Sequence, residues 1–425
     1  MSSTGLIELP KWYTDSREEA LGRFKDLPAP HYKDERWRFS NTKLFQFEEA
    51  PEQLPVEPSQ RELALSRSTR LREPGGKAVF ANGELIHNEP ISQELRDQGV
   101  IWLPLEEALS RHPDLLEKYY MDQGAPLGSE KFAALHYAMG QSGTFLYVPK
   151  NVEVELPLEA FHFKCGNNGA IYPHTLIVAE RFAKVTLVDY YNSLDHSATG
   201  YACPVTDLYA GEGAKVNYVA IQNFGLGVVA NQINSTQVAK DGHAKSMIVN
   251  LGGQYVRSES FSRMTGEGGR SDMLAISAAE KTQVYDMRTL QEHQKGHTTS
   301  DLLYKNTLND ESKTVFSGLI KVDEGAHQTD AYQTVRNLIL DERAEADSMP
   351  GLEILADEVK CSHGATTGQI DEEELFYLLA RGIPEKQAKQ LVVAGFLLEA
   401  VQRLELPKVE EQIQNQILEF FQTLE

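Results

Sequence analysis

The chain is 425 residues long, with 41 basic residues against 62 acids and a formal net charge of −21. Nucleic acid repels a surface of that sign unless a basic stripe compensates, and here Arg and Lys are scattered among acids. No apolar run is long enough to span a bilayer, no leader pattern opens the chain, and Cys165, Cys203 and Cys361 are too few and too far apart for a disulfide framework. A cytoplasmic protein that binds neither nucleic acid nor membrane is expected, with room for two to three domains.

Residues 1–142 read as a mostly helical N-terminal domain. The stretch 16–24 has the pattern of an amphipathic helix with Ser16 as its N-cap. Residues 50–75 are rich in Pro, Glu and Arg and are expected to be irregular and mobile. An Asn82-Gly83 step between apolar runs predicts a hairpin. The segments 105–110, 114–120 and 129–139 read as helices.

From Gly143 the apolar period changes from about 3.6 to 2. Short runs rich in Val, Ile, Leu, Tyr and Thr follow one another to residue 368 with no room for helices. Strands are expected at 144–148, 152–157, 175–178, 183–189, 214–221, 244–250, 271–276, 283–288, 300–304, 314–322 and 330–340. A small-residue, polar, apolar step recurs at Ala183, Ala214 and, more loosely, Ala244, about 30 residues apart. Polar turns later come at about half that step. The pattern fits a β-solenoid, in which each coil buries its inward side chains against its neighbours. A β-sandwich or several small β units are the alternatives.

Residues 369–425 read as a C-terminal helical domain. Acids at 371–374 suit the positive end of a helix dipole. Leu375, Phe376, Leu379, Leu391 and Phe396 contribute to an apolar surface that three short helices cannot bury among themselves. Some of it should face the solenoid or a partner protein.

Few residues carry a chemical signature. There is no P-loop, no nucleophile elbow and no C-x-x-C. Gly266 to Gly269 read as a turn. His293 and His297 have zinc-helix spacing, but Gln294 stands where a catalytic Glu would be, so they read as turn or surface residues. His162 and Cys165 would face opposite ways on a strand, and Cys203 reads as core. Cys361 and His363 would share one face of a strand, with Ser362 opposite. A thiolate and an imidazole are ligands for iron–sulfur species and soft metals, but two are too few for a closed site. The plainer alternative is a small buried hydrophobe beside a strand-end polar residue.

The run from Cys361-Ser362-His363-Gly364-Ala365-Thr366 to Ile383 resembles the signature of the SufB/SufD family of the Suf iron–sulfur cluster assembly machinery. Met349-Pro350-Gly351-Leu352-Glu353-Ile354, Phe145-Leu146-Tyr147-Val148-Pro149-Lys150 and Glu35-Arg36-Trp37-Arg38-Phe39 fit the same pattern. The Cys-Ser-His-Gly-Ala form is similar to the SufD branch, since SufB chains carry His-Glu-Ala there and lack the Cys-Ser. The resemblance implies a mainly β protein, a right-handed parallel β-helix over 143–368 flanked by N-terminal and C-terminal helical segments. It implies a scaffold subunit, not an enzyme, that pairs with a SufB paralogue through the β-helix. It also implies docking of SufC, an ABC-type ATPase, on the C-terminal helices, with contacts at Leu375, Phe376, Leu379, Leu391 and Phe396. His363, and less firmly Cys361, would lie at a metal or cluster-assembly interface. No catalytic residue and no permanent cofactor are expected, only a transient iron–sulfur cluster or iron at the subunit interface. A homodimer is expected when the chain is alone, because a free sheet edge invites self-pairing. The alternatives are a pure adaptor that touches neither iron nor sulfide, or a β-helix enzyme acting on polysaccharides.

Overall fold

The computed structural model describes residues 8–422. Helix α1 (Lys11–Asp26) opens it, followed by α2 (Pro58–Ser66) and a hairpin of β1 (Gly76–Ala81) and β2 (Glu84–Glu89). The hairpin turns at Asn82-Gly83, where both residues have positive φ, 43° and 84°. Asn and Gly tolerate that region, which is why this pair makes the turn. Next come α3 (Gln93–Asp97), β3 (Ile101–Pro104), α4 (Leu105–Arg111), α5 (Pro113–Glu117) and α6 (Glu130–Met139).

The chain then winds into a long stack. Its first strands are β4 (Ser142–Val148), β5 (Leu158–Lys164), β6 (Gly169–Ile171), β7 (Pro173–Ala179), β8 (Lys184–Ser193), β9 (Thr199–Ala202) and β10 (Val205–Ala210). They continue as β11 (Lys215–Asn223), β12 (Gly227–Val238), β13 (His243–Asn250), β14 (Tyr255–Met264), β15 (Arg270–Ala279) and β16 (Val284–His293). The last are β17 (Thr299–Leu308), β18 (Lys313–Val322), β19 (Asp330–Ile339), β20 (Glu345–Ile354) and β21 (Lys360–Gln369). Three helices close the chain: α7 (Glu372–Ala380), α8 (Glu385–Val401) and α9 (Pro407–Gln422).

Two sheets result. The first runs β2-β1-β5-β8-β11-β13-β15-β17-β19-β21, the second β20-β18-β16-β14-β12-β10-β7-β4-β3. Pairing along the stack is parallel, with antiparallel ladders only where β1 meets β2 and β3 meets β4. This is a parallel β-solenoid, as the spacing predicts. Lys184 pairs with Lys215 and His243 with Arg270, so one coil takes about 30 residues. Two of the three recurring alanines, Ala183 and Ala214, mark the corner leading into the first sheet. Both are fully buried there, each preceded by a residue with positive φ, Phe182 (57°) and Gly213 (64°). Ala244 instead lies inside β13, opposite Val216, and Gly242, after Asp241 (54°), takes the corner of that coil. The half-step turns are the alternation between sheets: Lys281 (54°), His297 (57°), Asp310 (55°) and Gln328 (57°) take the same left-handed corner.

The lumen between the sheets holds alternate side chains of both. Leu187, Tyr218, Ile248, Tyr285, Met287, Tyr304 and Phe316 are among its apolar members. The outer face of the second sheet is covered by the N-terminal elements, through Trp37, Phe45, Phe132, Leu105 and Leu109. The outer face of the first sheet is covered by α8 and α9, whose Val393, Leu397, Ala400, Ile413 and Ile417 pack with Val219, Met247, Leu274 and Leu303.

Several local expectations change. The first helix begins at Lys11 with Pro10 in the cap position, so Ser16 lies inside it and caps nothing. A Pro at the start loses no intrahelical bond, which lets the helix begin earlier than a Ser signal suggests. The 50–75 segment, expected to be irregular, carries α2, started by Pro58 and a reciprocal bond between Glu57 and Gln60. Residues 152–157 form one isolated bridge, Glu153 to Lys184, rather than a strand. The strand comes next, over Leu158–Lys164, buried on both faces and therefore without alternation. The N-terminal region is also less helical than expected, because β1, β2 and β3 join the two sheets.

Candidate functional site at the open end of the solenoid

The stack has two unlike ends. Near its start the hairpin β1–β2 and strand β3 finish the two sheets. At the other end β20 and β21 are the last rungs, each paired on one side only. Every residue of β21 except half-buried Cys361 is exposed. On and beside the second rung edge, Leu352, Ile354 and Leu355 are 38%, 39% and 57% exposed. Free backbone donors and acceptors next to apolar side chains form a surface suited to another chain.

Register decides what this end presents. Cys361 sits opposite Ala331, His363 opposite Gln333 and Thr367 opposite Asn337. Ala331, Gln333 and Asn337 point into the lumen and are buried, whereas Tyr332 between them points out and is 43% exposed. Cys361 and His363 therefore share the lumen-facing side, with Ser362 on the other, as the period of 2 predicts. His363 is exposed because no further coil lies above it. Cys361 packs against the cluster of Ile320, Val322, Ala326 and Ala331. Burial, with a smaller effect from the Asp330 charge, pushes its thiol above the ordinary value, so it is held protonated. A polar column rises to the same edge: Asn306 Nδ2 donates to Asn337 Oδ1 (2.8 Å), and Asn337 Nδ2 to Thr367 Oγ1 (3.3 Å).

No three His, Cys, Asp or Glu side chains among the described residues converge on a point that would hold a metal ion. The described residues therefore form no closed metal site.

The C-terminal helices divide into a buried and a free surface. Phe376, Leu379 and Leu391 are 70%, 38% and 53% exposed, Leu375 is half-buried, and Tyr377, which the sequence reading passed over, is 57% exposed. Phe396 is different. It packs partly on the first sheet's outer face, with Lys305 Nζ 4.2 Å from its ring. Lys305 is buried and donates to the Phe396 carbonyl (2.8 Å) and to Glu399. Lys245 repeats the device, donating to the carbonyls of Arg403 (2.8 Å) and Leu404 (3.1 Å) and to Glu405 (2.9 Å). Two solenoid lysines thus clip the carbonyl-rich end of α8 and the turn after it.

The other Cys/His candidates do not form sites. His162 points into the lumen and Cys165 into the opposite cluster, as expected, and Cys203 is core. His293 is not a surface residue. It lies fully buried in the lumen, bonded to Thr298 and Ser300 (both 2.8 Å), while His297 is an exposed corner. Reading outward, the Glu35–Trp37 turn meets a charge network that no motif announced. Arg257 lies 3.7 Å over the Trp37 ring and pairs with Glu259 (2.8 Å) and Asp286 (2.9 Å), all fully buried. Trp37 Nε1 donates to the Gly128 carbonyl (2.9 Å). This network fastens the N-terminal segment to the second sheet.

Comparison with known proteins shows the family. Residues 162–396 match the family model described as SUF system FeS cluster assembly, SufBD core domain, and residues 10–160 match the SufBD protein N-terminal region. The iron-sulfur cluster assembly protein SufD of Bacillus subtilis is 31% identical over 412 residues, covering 95% of this chain and 93% of its own length. An iron-sulfur cluster assembly SufBD family protein of Staphylococcus saprophyticus is 27% identical over 406 residues, 93% of this chain and 86% of that protein. One of Staphylococcus epidermidis is 27% identical over 401 residues, 92% and 85%.

Proposed function

Because the chain belongs to the SufBD family of iron–sulfur cluster assembly proteins, we propose that it is a SufD-type scaffold whose open solenoid end pairs with a SufB-type paralogue. The nascent cluster is the cargo of that joint, not a resident cofactor. His363 supplies a donor from this side, and Cys361 stands beside it. The observation that carries this reading is the exposed, lumen-facing imidazole on a last rung whose outer edge is free. The partner's strands complete the ladder and its side chains complete the ligand set.

A SufC-type ATPase docks on the free apolar surface of α7 and α8, at Leu375, Phe376, Leu379 and Leu391. Phe396 supports that surface from below. The ATPase is a separate chain, which accounts for the missing P-loop. ATP-driven movement of the ATPase is transmitted to the joint. Helices α8 and α9 share an apolar core with the first sheet and are held by Lys245 and Lys305, so they pull the solenoid with them. The chain itself catalyses nothing.

One observation favours a second reading, an adaptor that touches neither iron nor sulfide: this end offers only two donors, one a protonated thiol. The two readings separate in the complex co-expressed with paralogue and ATPase and purified without oxygen. His363→Ala should assemble normally and lose iron and acid-labile sulfide, with Cys361→Ser losing less. Wild-type iron and sulfide in an intact His363→Ala complex would leave the adaptor.

A further inference from the structure

One rung below His363, on the same lumen-facing side, stands Gln333. It is 1% exposed, and neither its Oε1 nor its Nε2 finds a partner among the described residues. A buried amide with nothing bonded at either end is costly, and a Leu or Met would fill the space without that cost. The fold also makes room for it. Gln333 reaches across the lumen to the second sheet, where a Cβ at Gly318 would stand 1.8 Å from its Nε2 and 2.6 Å from Thr289 Oγ1. Any side chain at 318 would displace the amide. Thr289 Oγ1 and Gln291 Oε1 are likewise buried without partners, so polar atoms gather under the open end. The next inward polar residue, Asn337, beyond Val335, is by contrast bonded to both its rungs.

Adjacent rungs lie about 4.8 Å apart, so an imidazole that turns into the lumen at 363 stands one rung above residue 333, whose amide reaches it by swinging from Gly318 toward the open end. We propose that Gln333 is the positioning residue of His363. Its Oε1 accepts one ring N–H of His363, and the other ring nitrogen then keeps its lone pair and faces out of the lumen. A donor held in one tautomer by an acceptor behind it is the arrangement that metal-binding imidazoles need. The inference rests on the reading of His363 as the donor at this end.

The test uses the full complex with paralogue and ATPase, purified without oxygen, and compares Gln333→Leu, Gln333→Glu and His363→Ala. Gln333→Leu should assemble, hold about tenfold less iron and acid-labile sulfide, and weaken or blur the imidazole nitrogen coupling seen by pulsed electron paramagnetic resonance. Gln333→Glu keeps an acceptor oxygen and should restore most of both. If Gln333→Leu does not assemble, Gln333→Met, unbranched and without an acceptor, carries the same expectation. Loss of iron in His363→Ala, with wild-type iron and unchanged nitrogen coupling in Gln333→Leu, overturns the proposal and leaves the reading of His363 standing. Wild-type iron in both variants overturns both.

Discussion

The two ends of the solenoid lumen use the same kinds of residue to opposite effect. Near the closed end, Asp189 is fully buried and its Oδ2 accepts from Thr175 (2.6 Å), Tyr218 (2.8 Å) and Tyr191 (3.1 Å). A carboxylate with three hydroxyl donors ties both sheets together. Its Oδ1 and both ring nitrogens of nearby His162 are buried without partners among the described residues, so that end is only partly satisfied. At the open end Gln333 has neither amide atom bonded, Thr289 Oγ1 and Gln291 Oε1 lack partners, and His363 faces solvent. Polar groups inside a solenoid stabilise it through the partners they do find, as the three hydroxyls on Asp189 Oδ2 do, and the open end differs in offering its polar atoms beside an edge that another chain can reach.

That contrast can be broken at the closed end first. Asp189→Ala strands three buried hydroxyls and opens a hole, and should cost roughly 3–5 kcal/mol in urea unfolding. Stability close to wild type would mean that the network is not holding the sheets. A smaller effect is expected from acid. Burial pushes His293 down to about 4. A His with a lowered folded value contributes stability above its unfolded value of about 6.5 and loses it as pH falls toward 4, on the order of 3 kcal/mol. His136, also pushed down to about 4 by burial, adds to this, while Asp207, raised to about 6 by burial, acts in the opposite sense. His293→Gln should therefore flatten, without abolishing, the fall in stability between pH 6.5 and 4. An unchanged slope would mean that His293 is not held neutral. The smallest effect on stability is expected outside the lumen. Phe376→Glu with Leu391→Glu lies on exposed positions and should shift unfolding by no more than about 0.5 kcal/mol. The same pair should abolish capture of the ATPase in co-purification, and retained capture would move the docking surface elsewhere.

Much of the architecture was legible in particular residues. Ala183 and Ala214 gave away the coil length because one corner per coil needs a small inward residue after a left-handed one. Asn82-Gly83 announced its hairpin for a similar reason. The lumen's polar rungs hid two long strands. β12 and β14 carry Gln232, Asn234, Ser260 and Ser262, which look like loop residues until their partners are known: Gln232 donates to Asn234, Asn234 to Ser260 on the next rung, and Ser262 to Ser271 across the lumen. The candidate site divides in the same way. That Cys361 and His363 share a face follows from strand periodicity, whereas Gln333 beneath them carries no local signal at all.

By itself the sequence determined the repeat, the corners and the side of the strand on which each residue stands, because these depend on neighbours a few positions away. It also carried the family signature around His363. Only the tertiary structure decided that this signature lies on the last rung, with one edge free, and that α8 and α9 fold back onto the first sheet. It alone placed Phe396 in that interface with Leu391 free. Those outcomes depend on which surfaces meet across hundreds of residues, and apolar burial, being non-directional, leaves no mark in the local sequence of where the partner surface will be.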